Sequence, residues 1–231
     1  MKKVMKAVAA IMLMMAVVCV AGCNKSDDPN NGGNQSNHEY VDLGLPSGTL
    51  WATCNVGANV PEEFGDYFAW GETQSKNIYD WNTYIYGTDN YLTKYCSSSY
   101  CGLNGFVDNL TTLESSDDAA TTNWGKGWRT PTYEDWCELY QFTTNAKITQ
   151  NGVNGRLFTA SNGNSLFLPA AGFRWEHELR GAGNRGLYLS SSLLEEFNAW
   201  YFSFDSDYEN YGMIADDRAD GNSVRPVRSA K

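Results

Sequence analysis

Glu39-Tyr40-Val41-Asp42-Leu43-Gly44-Leu45-Pro46-Ser47-Gly48-Thr49-Leu50-Trp51-Ala52-Thr53-Cys54-Asn55-Val56 is the stretch from which the fold is read. Apolar residues alternate at 41, 43 and 45, the period of a strand with one buried face. Pro46-Ser47-Gly48-Thr49 supplies a turn, and residues 50–56 give a second strand, so the stretch reads as a β-hairpin. Beyond it, residues 63–71 are short, aromatic and bounded by glycine. Residues 72–113 are rich in Tyr, Asn, Ser and Thr without clear periodicity. They read as one long loop, a feature uncommon in compact domains and often functional.

Two short helices are expected next. Ser115-Ser116-Asp117-Asp118 resembles a capping box, with Ser115 as N-cap, Asp118 at N3 and a helix through Asn123. Pro131 fits the first position of a second helix capped by Thr130. In it Trp136, Leu139 and Tyr140 fall on one face, and the helix runs to about Phe142. The remainder alternates turns and strands. Asn151-Gly152, Asn154-Gly155 and Asn162-Gly163 are turn signals. Residues 155–160 and 165–169 form a hairpin, and residues 186–191, 199–204, 213–216 and 223–228 read as short strands. Val224 and Val227 are expected to be buried, and Pro226 to mark an edge or a bulge. The fold class is therefore α+β, loop-rich, with short strands and two short helices.

Working towards the N-terminus, residues 39–231 form one domain and residues 23–38 a polar tether. No large apolar residue occurs from 24 to 38, too little to offset the entropy of ordering. Residues 1–22 have the layout of a secretory signal, with Lys2, Lys3 and Lys6 ahead of an apolar run at 7–21. That run is shorter than the ~20 residues a spanning helix needs. It ends Val20-Ala21-Gly22-Cys23, which resembles a bacterial lipobox. Cys23 is the expected lipidation site, its thiol carrying a diacylglyceryl group that anchors the chain in a membrane. Cleavage elsewhere in an ordinary signal peptide is the alternative. Ser26-Asp27-Asp28 resembles an acidic export signal, which implies display on the outside of the outer membrane, against the reading of an ordinary polar linker.

Composition excludes some partners. The net charge is −10, and removal of residues 1–22 takes away three lysines and no acid, leaving −13. An acidic chain repels phosphate backbones, so nucleic acid is not an expected partner. Cys54, Cys96, Cys101 and Cys137 remain after processing and suggest disulfides in an oxidising compartment, with three connectivities open. Cys96 and Cys101 bracket four residues and suggest a local clasp, which leaves Cys54 with Cys137. The spacing does not read as a zinc site.

Several motifs are more specific than any of this. They are Val41-Asp42-Leu43-Gly44-Leu45-Pro46-Ser47-Gly48-Thr49-Leu50-Trp51-Ala52-Thr53-Cys54-Asn55-Val56-Gly57, Tyr67-Phe68-Ala69-Trp70-Gly71-Glu72, Trp124-Gly125-Lys126-Gly127-Trp128-Arg129-Thr130-Pro131-Thr132, Leu168-Pro169-Ala170-Ala171-Gly172 and Ser223-Val224-Arg225-Pro226-Val227-Arg228. Together they resemble the Fibrobacter succinogenes major paralogous domain family, over residues 39–228. The resemblance implies the formylglycine-generating-enzyme-like version of the C-type lectin fold. It also implies that the late loops form a ligand face. Within these motifs Arg129 reads as a structural partner for a buried carboxylate or carbonyl.

The residues favour binding over catalysis. His38 and His177 are the only histidines. His177 lies in a polar loop, with no nucleophile elbow and no phosphate-cradling Gly-Lys-Ser/Thr loop upstream. No cysteine follows Cys137, so the reactive pair of formylglycine-generating enzymes is missing. No particular pair of carboxylates stands out for glycoside hydrolysis. No catalytic residue is therefore assigned.

The expected ligand-binding residues are Trp175, His177 and Arg180 in the loop 174–185, and Asp205, Asp207, Tyr208 and Tyr211 in the loop between the last long strands. Tyr, Asn, Asp and Ser make adaptable contact surfaces. A solvated hairpin loop is the alternative for each residue. No cofactor is expected. A structural calcium on the alternating Asp205, Asp207 and Glu209 is the exception that hard oxygen ligands allow, though no EF-hand spacing is present, and capping accounts for Asp117-Asp118. The expectation is a monomeric surface lipoprotein that binds a glycan or protein, adhesin-like. An assembly component of an envelope complex or a carbohydrate-active enzyme are the alternatives.

Overall fold

The structure is a computed structural model and describes residues 38–205 and 211–230. Strands β1 (Tyr40–Asp42) and β2 (Thr49–Ala52) form the expected hairpin, with Val41 opposite Trp51. Strand β3 (Tyr67–Phe68) follows. From there to helix α1 (Ala119–Trp124) the chain has no strand or α-helix, only a 3₁₀ turn at Leu103–Gly105 and isolated bridges. The long loop expected from the unpatterned composition is therefore present. Helix α2 (Tyr133–Phe142) leads into an antiparallel sheet of β4 (Thr143–Gln150), β5 (Val153–Ala160) and β6 (Ser165–Pro169). A small hairpin of β7 (Phe173–Trp175) and β8 (Glu178–Arg180) comes next. Strands β9 (Arg185–Leu193), β10 (Asn198–Asp205), β11 (Tyr211–Asp217) and β12 (Asn222–Ser223) join β3 in a five-stranded sheet ordered β11-β10-β9-β12-β3. Strand β13 (Val227–Ser229) returns to pair with β2, so the two ends of the domain close one sheet. The architecture is a mostly-β, loop-rich α+β fold.

Aromatic packing fixes the layers. Trp136 of α2 is fully buried and stacks on Phe202 of β10 at 4.8 Å, with Trp51 at 4.7 Å and Tyr188 at 5.8 Å. Leu139, Phe158, Leu168 and Val227 complete that core. On the other side of the sheet Leu189, Ala199 and Tyr201 meet Phe68, Trp70, Trp124, Trp128 and Val224. The long loop adds a third cluster, with Tyr79 and Tyr84 against Tyr67 and Ala219. It is held by Arg218, which is fully buried and, among the described residues, has no carboxylate ion-pair partner. The guanidinium donates instead to Tyr84 Oη (3.1 Å), Tyr95 O (3.1 Å), Glu196 O (2.6 Å) and Lys94 O (3.3 Å), and lies over Trp70. Buried polar atoms must be paired somewhere, and an unpatterned segment offers carbonyls that no ladder has claimed.

Several expectations need correction. The cap of α1 is Asp118, not Ser115: the Asp118 carboxylate accepts from Ala120 N (2.8 Å) and Thr121 N (3.2 Å). The cap of α2 is Thr132, not Thr130, and with Asp135 it forms a reciprocal capping box. Thr130 cannot serve because its hydroxyl donates to Asp118. Trp136 and Leu139 are buried as expected, but Tyr140 is 47% exposed and packs edge-on against Tyr211. Strand β4 was not anticipated, although it pairs with β5 along its whole length. The polar loop at 174–185 is the β7–β8 hairpin, and Pro226 splits the last expected strand into β12 and β13. Cys54, Cys96, Cys101 and Cys137 are free thiols, so neither expected pairing is made. Cys96 Sγ donates to Ser98 O at 3.1 Å, and Cys54 sits beside Thr53 at 3.7 Å. Cys137 faces Tyr133 of its own helix. His38 is not part of a solvated tether: its ring stacks on Trp124 at 3.6 Å.

Other expectations hold. Val224 and Val227 are fully buried. Arg129 grips Asp135 with two hydrogen bonds of 2.5 and 3.0 Å.

Candidate functional site

Strand alternation decides which side chains share a face. Arg185 lies opposite Asp205, and Ser203 opposite Gly212, in regular antiparallel register. Residues two apart on a strand point the same way. Arg185, Asp205, Ser203, Gly212, Ile214 and Asp216 therefore line one face of the sheet, away from α2. A cavity of about 340 Å³ lies at this end of β9–β11, lined by Arg185, Ser203, Asp205, Gly212 and Ile214 of that face and by Tyr211 and Met213, which belong to the opposite face. That volume is within the usual range of ligand sites, about 300–1,000 Å³.

The β7–β8 hairpin stands beside this face. Its base is tied to β9, with Gly172 N donating to Arg185 O (2.6 Å) and Arg185 N to Gly181 O (2.7 Å). Arg174 and Gly221 exchange two backbone bonds, and so do Glu176 and Tyr79. Gly172 has φ +69°, and a Cβ there would lie 2.2 Å from Arg180 O, so only glycine lets β8 fold back this closely. The hairpin presents Trp175, His177, Glu178 and Arg180 to solvent. The Arg180 guanidinium lies 3.8 Å over the Trp175 ring and is clamped by Glu178 Oε2 at 2.9 Å. One Trp175 face is therefore already covered by a cation.

The predicted site residues thus fall in two groups. Trp175, His177 and Arg180 sit together on the hairpin, with His177 at its tip. Asp205 and Tyr211 line the cavity. Asp207 and Tyr208 lie outside the described residues, as do Glu209 and Cys23. The ring of Tyr211 is not a free platform, since the Arg156 guanidinium lies 3.8 Å over it. Among the described residues no group of three or more His, Cys, Asp or Glu side chains is placed to hold a metal ion. Asp117, considered with Asp118 as an acidic pair, accepts from Tyr95 Oη (2.6 Å) and Lys94 Nζ (2.5 Å).

Two groups that sequence reasoning missed matter most. Arg185 joins the hairpin to the cavity. Among the described residues its guanidinium makes no hydrogen bond or ion pair; Phe173 lies 5.5 Å away. Ser203 breaks the apolar run Ala199-Trp200-Tyr201-Phe202-Ser203-Phe204, which was the one available signal. It is nearly buried, yet its hydroxyl has no hydrogen bond among the described residues.

The field on this face is mixed. Asp220 is buried, which pushes its carboxyl up to about 8, reinforced by Asp216 and Asp217 and opposed by Arg180. Burial also raises Asp216, and the Arg185 charge opposes that shift. Asp217 is raised by burial as well, against a hydrogen bond from Trp81 Nε1 of 2.9 Å. All three shifts run the same way.

No protein-family model, curated protein or solved structure matches this chain. Among the described residues no helix is long and apolar enough to cross a membrane.

Proposed function

We propose that this chain is a surface lipoprotein, anchored through Cys23 in the outer membrane and facing outward. Its domain is a non-catalytic recognition module for a glycan or protein. The observation that carries the reading is the cavity at the end of β9–β11, where Arg185 and Ser203 present polar groups without hydrogen-bond partners among the described residues, near an exposed Trp175–Arg180 pair. Preformed concavity with a few convergent polar groups is what a small-ligand site needs. We place the domain in the Fibrobacter succinogenes major paralogous domain family, with a C-type-lectin-like fold. The supporting observation is that motifs far apart in sequence meet: Val227 pairs with Trp51 and exchanges two backbone bonds with Arg129, and Arg225 donates to Ala52 and Thr53.

A glycan array probed with the full chain in detergent should reveal binding. Trp175→Ala should weaken it by roughly five- to tenfold, about 1–1.5 kcal/mol of aromatic contact. Turnover of any polysaccharide would overturn the non-catalytic reading.

One observation favours the assembly alternative. The long loop exposes Ile85, Tyr91, Tyr100, Leu103 and Phe106, with Tyr100 97% exposed. Clustered exposed apolar side chains often mark protein contacts. Envelope proteins that co-purify with the wild-type chain but not with a Tyr100→Ser, Ile85→Ser variant would support it.

A further inference from the structure

We infer that the cavity takes a carboxylate-bearing saccharide, with Arg185 as the group that reads the carboxylate. This rests on the recognition reading above and narrows it to a ligand class. Arg185 is the starting point. Among the described residues five of the eight guanidinium groups are committed to hydrogen bonds: Arg129 to Asp135, Arg156 to Asn145, Arg180 to Glu178, and Arg218 and Arg225 chiefly to backbone carbonyls, while Arg174 and Arg228 lie over aromatic rings. Arg185 has no such partner among the described residues, and it lines a cavity. Its backbone is pinned at both N and O to the hairpin base, so the side chain starts from a fixed point. Its planar fork of donors matches a carboxylate with two parallel hydrogen bonds.

The rest of the lining selects among carboxylates. Ser203 offers a hydroxyl, which can donate or accept. Asp205 lines the same cavity, and Asp216 lies near enough to Arg185 for their charges to interact. The Asp205 carboxylate can accept hydrogen bonds from ligand hydroxyls, and both carboxylates repel further negative charge. A ligand with one carboxylate and several hydroxyls per unit satisfies both demands. A run of acidic peptide side chains does not. A neutral saccharide would leave the fork of Arg185 donors without the two parallel acceptors that a carboxylate supplies. The chain as a whole is acidic, so long-range attraction contributes nothing, and recognition must come from local contact.

The test uses the full chain in detergent with three probes: oligogalacturonate, its methyl ester and poly-glutamate. The expected result is binding of oligogalacturonate about tenfold or more tighter than of the ester. Arg185→Gln should abolish that preference with an unchanged melting temperature, because the backbone bonds of residue 185 remain. Arg185→Lys should restore part of it. Equal binding of acid and ester overturns the inference and leaves the recognition reading standing. Preferential binding of poly-glutamate also overturns it, in favour of an acidic protein ligand. An Arg185→Gln variant that keeps the preference overturns the role of Arg185. If neither these probes nor any glycan of the array binds, the inference falls together with the glycan half of the recognition reading.

Discussion

Asp118 is 4% exposed, and its carboxylate serves two elements at once. It caps α1 through Ala120 N and Thr121 N, and it accepts from both the backbone N and the hydroxyl of Thr130 ahead of α2. Asp118→Ala would orphan these donors in a buried setting, and we expect a loss of roughly 2–3 kcal/mol in urea unfolding. Asp118→Asn keeps one acceptor oxygen and should lose less. A loss below ~0.5 kcal/mol for the alanine variant would mean that water replaces the carboxylate. The acidic pair was visible in the sequence as a capping signal, but its register was not. Ser115 and Asp118 both suit the cap position, and only the approach of Thr130 from twelve residues away decides between them.

At the scale of elements, α2 is the clamp between the sheets. Its start is fixed by the Thr132–Asp135 box, and its first two turns are tied to the β1–β2 turn through Ser47 Oγ to Glu138 (2.5 Å) and Thr49 Oγ1 to Asp135 (3.3 Å). Trp136 carries the packing, in contact with rings from β2, β9 and β10. Trp136→Ala should cost about 3–5 kcal/mol, with the near-ultraviolet circular dichroism of the aromatic core collapsing alongside. Trp136→Phe should retain most of the stability, and an unchanged midpoint for Trp136→Ala would refute the clamp role. The burial of Trp136 and Leu139 was legible from helical periodicity. Strand β4 was not read, since Thr-Thr-Asn-Ala-Lys-Ile-Thr-Gln lacks a strong apolar alternation. Its Asn151-Gly152 turn, with φ of 48° and 83°, is nevertheless the hairpin signature that joins it to β5. The β7–β8 hairpin was hidden for a similar reason: it has no buried face, and backbone bonds to Tyr79, Gly221 and Arg185 hold it.

At the scale of the whole molecule, the carboxylates set the response to pH. Asp220 binds its proton more tightly folded than unfolded, with a pKa of about 8 against an unfolded value of about 4. Between those values the folded state holds more protons, so this group's contribution to stability falls as pH rises from 4 to 8. Asp216 and Asp217 act in the same direction. Asp117 and Asp135 are held below the usual range against burial, Asp117 by hydrogen bonds from Lys94 and Tyr95 and Asp135 chiefly by Arg129. Their stabilisation is present above about pH 4 and lost below it. His38 is lowered by burial and opposes the Asp220 trend, adding stability as pH rises towards 6.5. We expect the melting temperature to be higher at pH 5 than at pH 8.5. The difference should shrink in Asp220→Asn, which isolates this group from His38. A melting temperature that rises steadily to pH 8.5, or an unaltered slope in the variant, would contradict this account.

Local rules sufficed for the hairpin of β1 and β2, the two short helices, the long unpatterned loop and most of the later strands. Alternation, turn chemistry and caps act over a few residues, so the sequence carries them directly. Val20-Ala21-Gly22-Cys23, the polar stretch after it and the motif set are the basis of the proposal of an exported recognition module. Tertiary structure alone decided that β13 would close on β2, that Arg218 would anchor the loop through backbone carbonyls, and that Arg185 and Ser203 would meet at one cavity. Those outcomes depend on register across strands and on which buried donors find acceptors far along the chain. A single residue type at a single position carries neither, because the same arginine is surface or staple according to what packs over it.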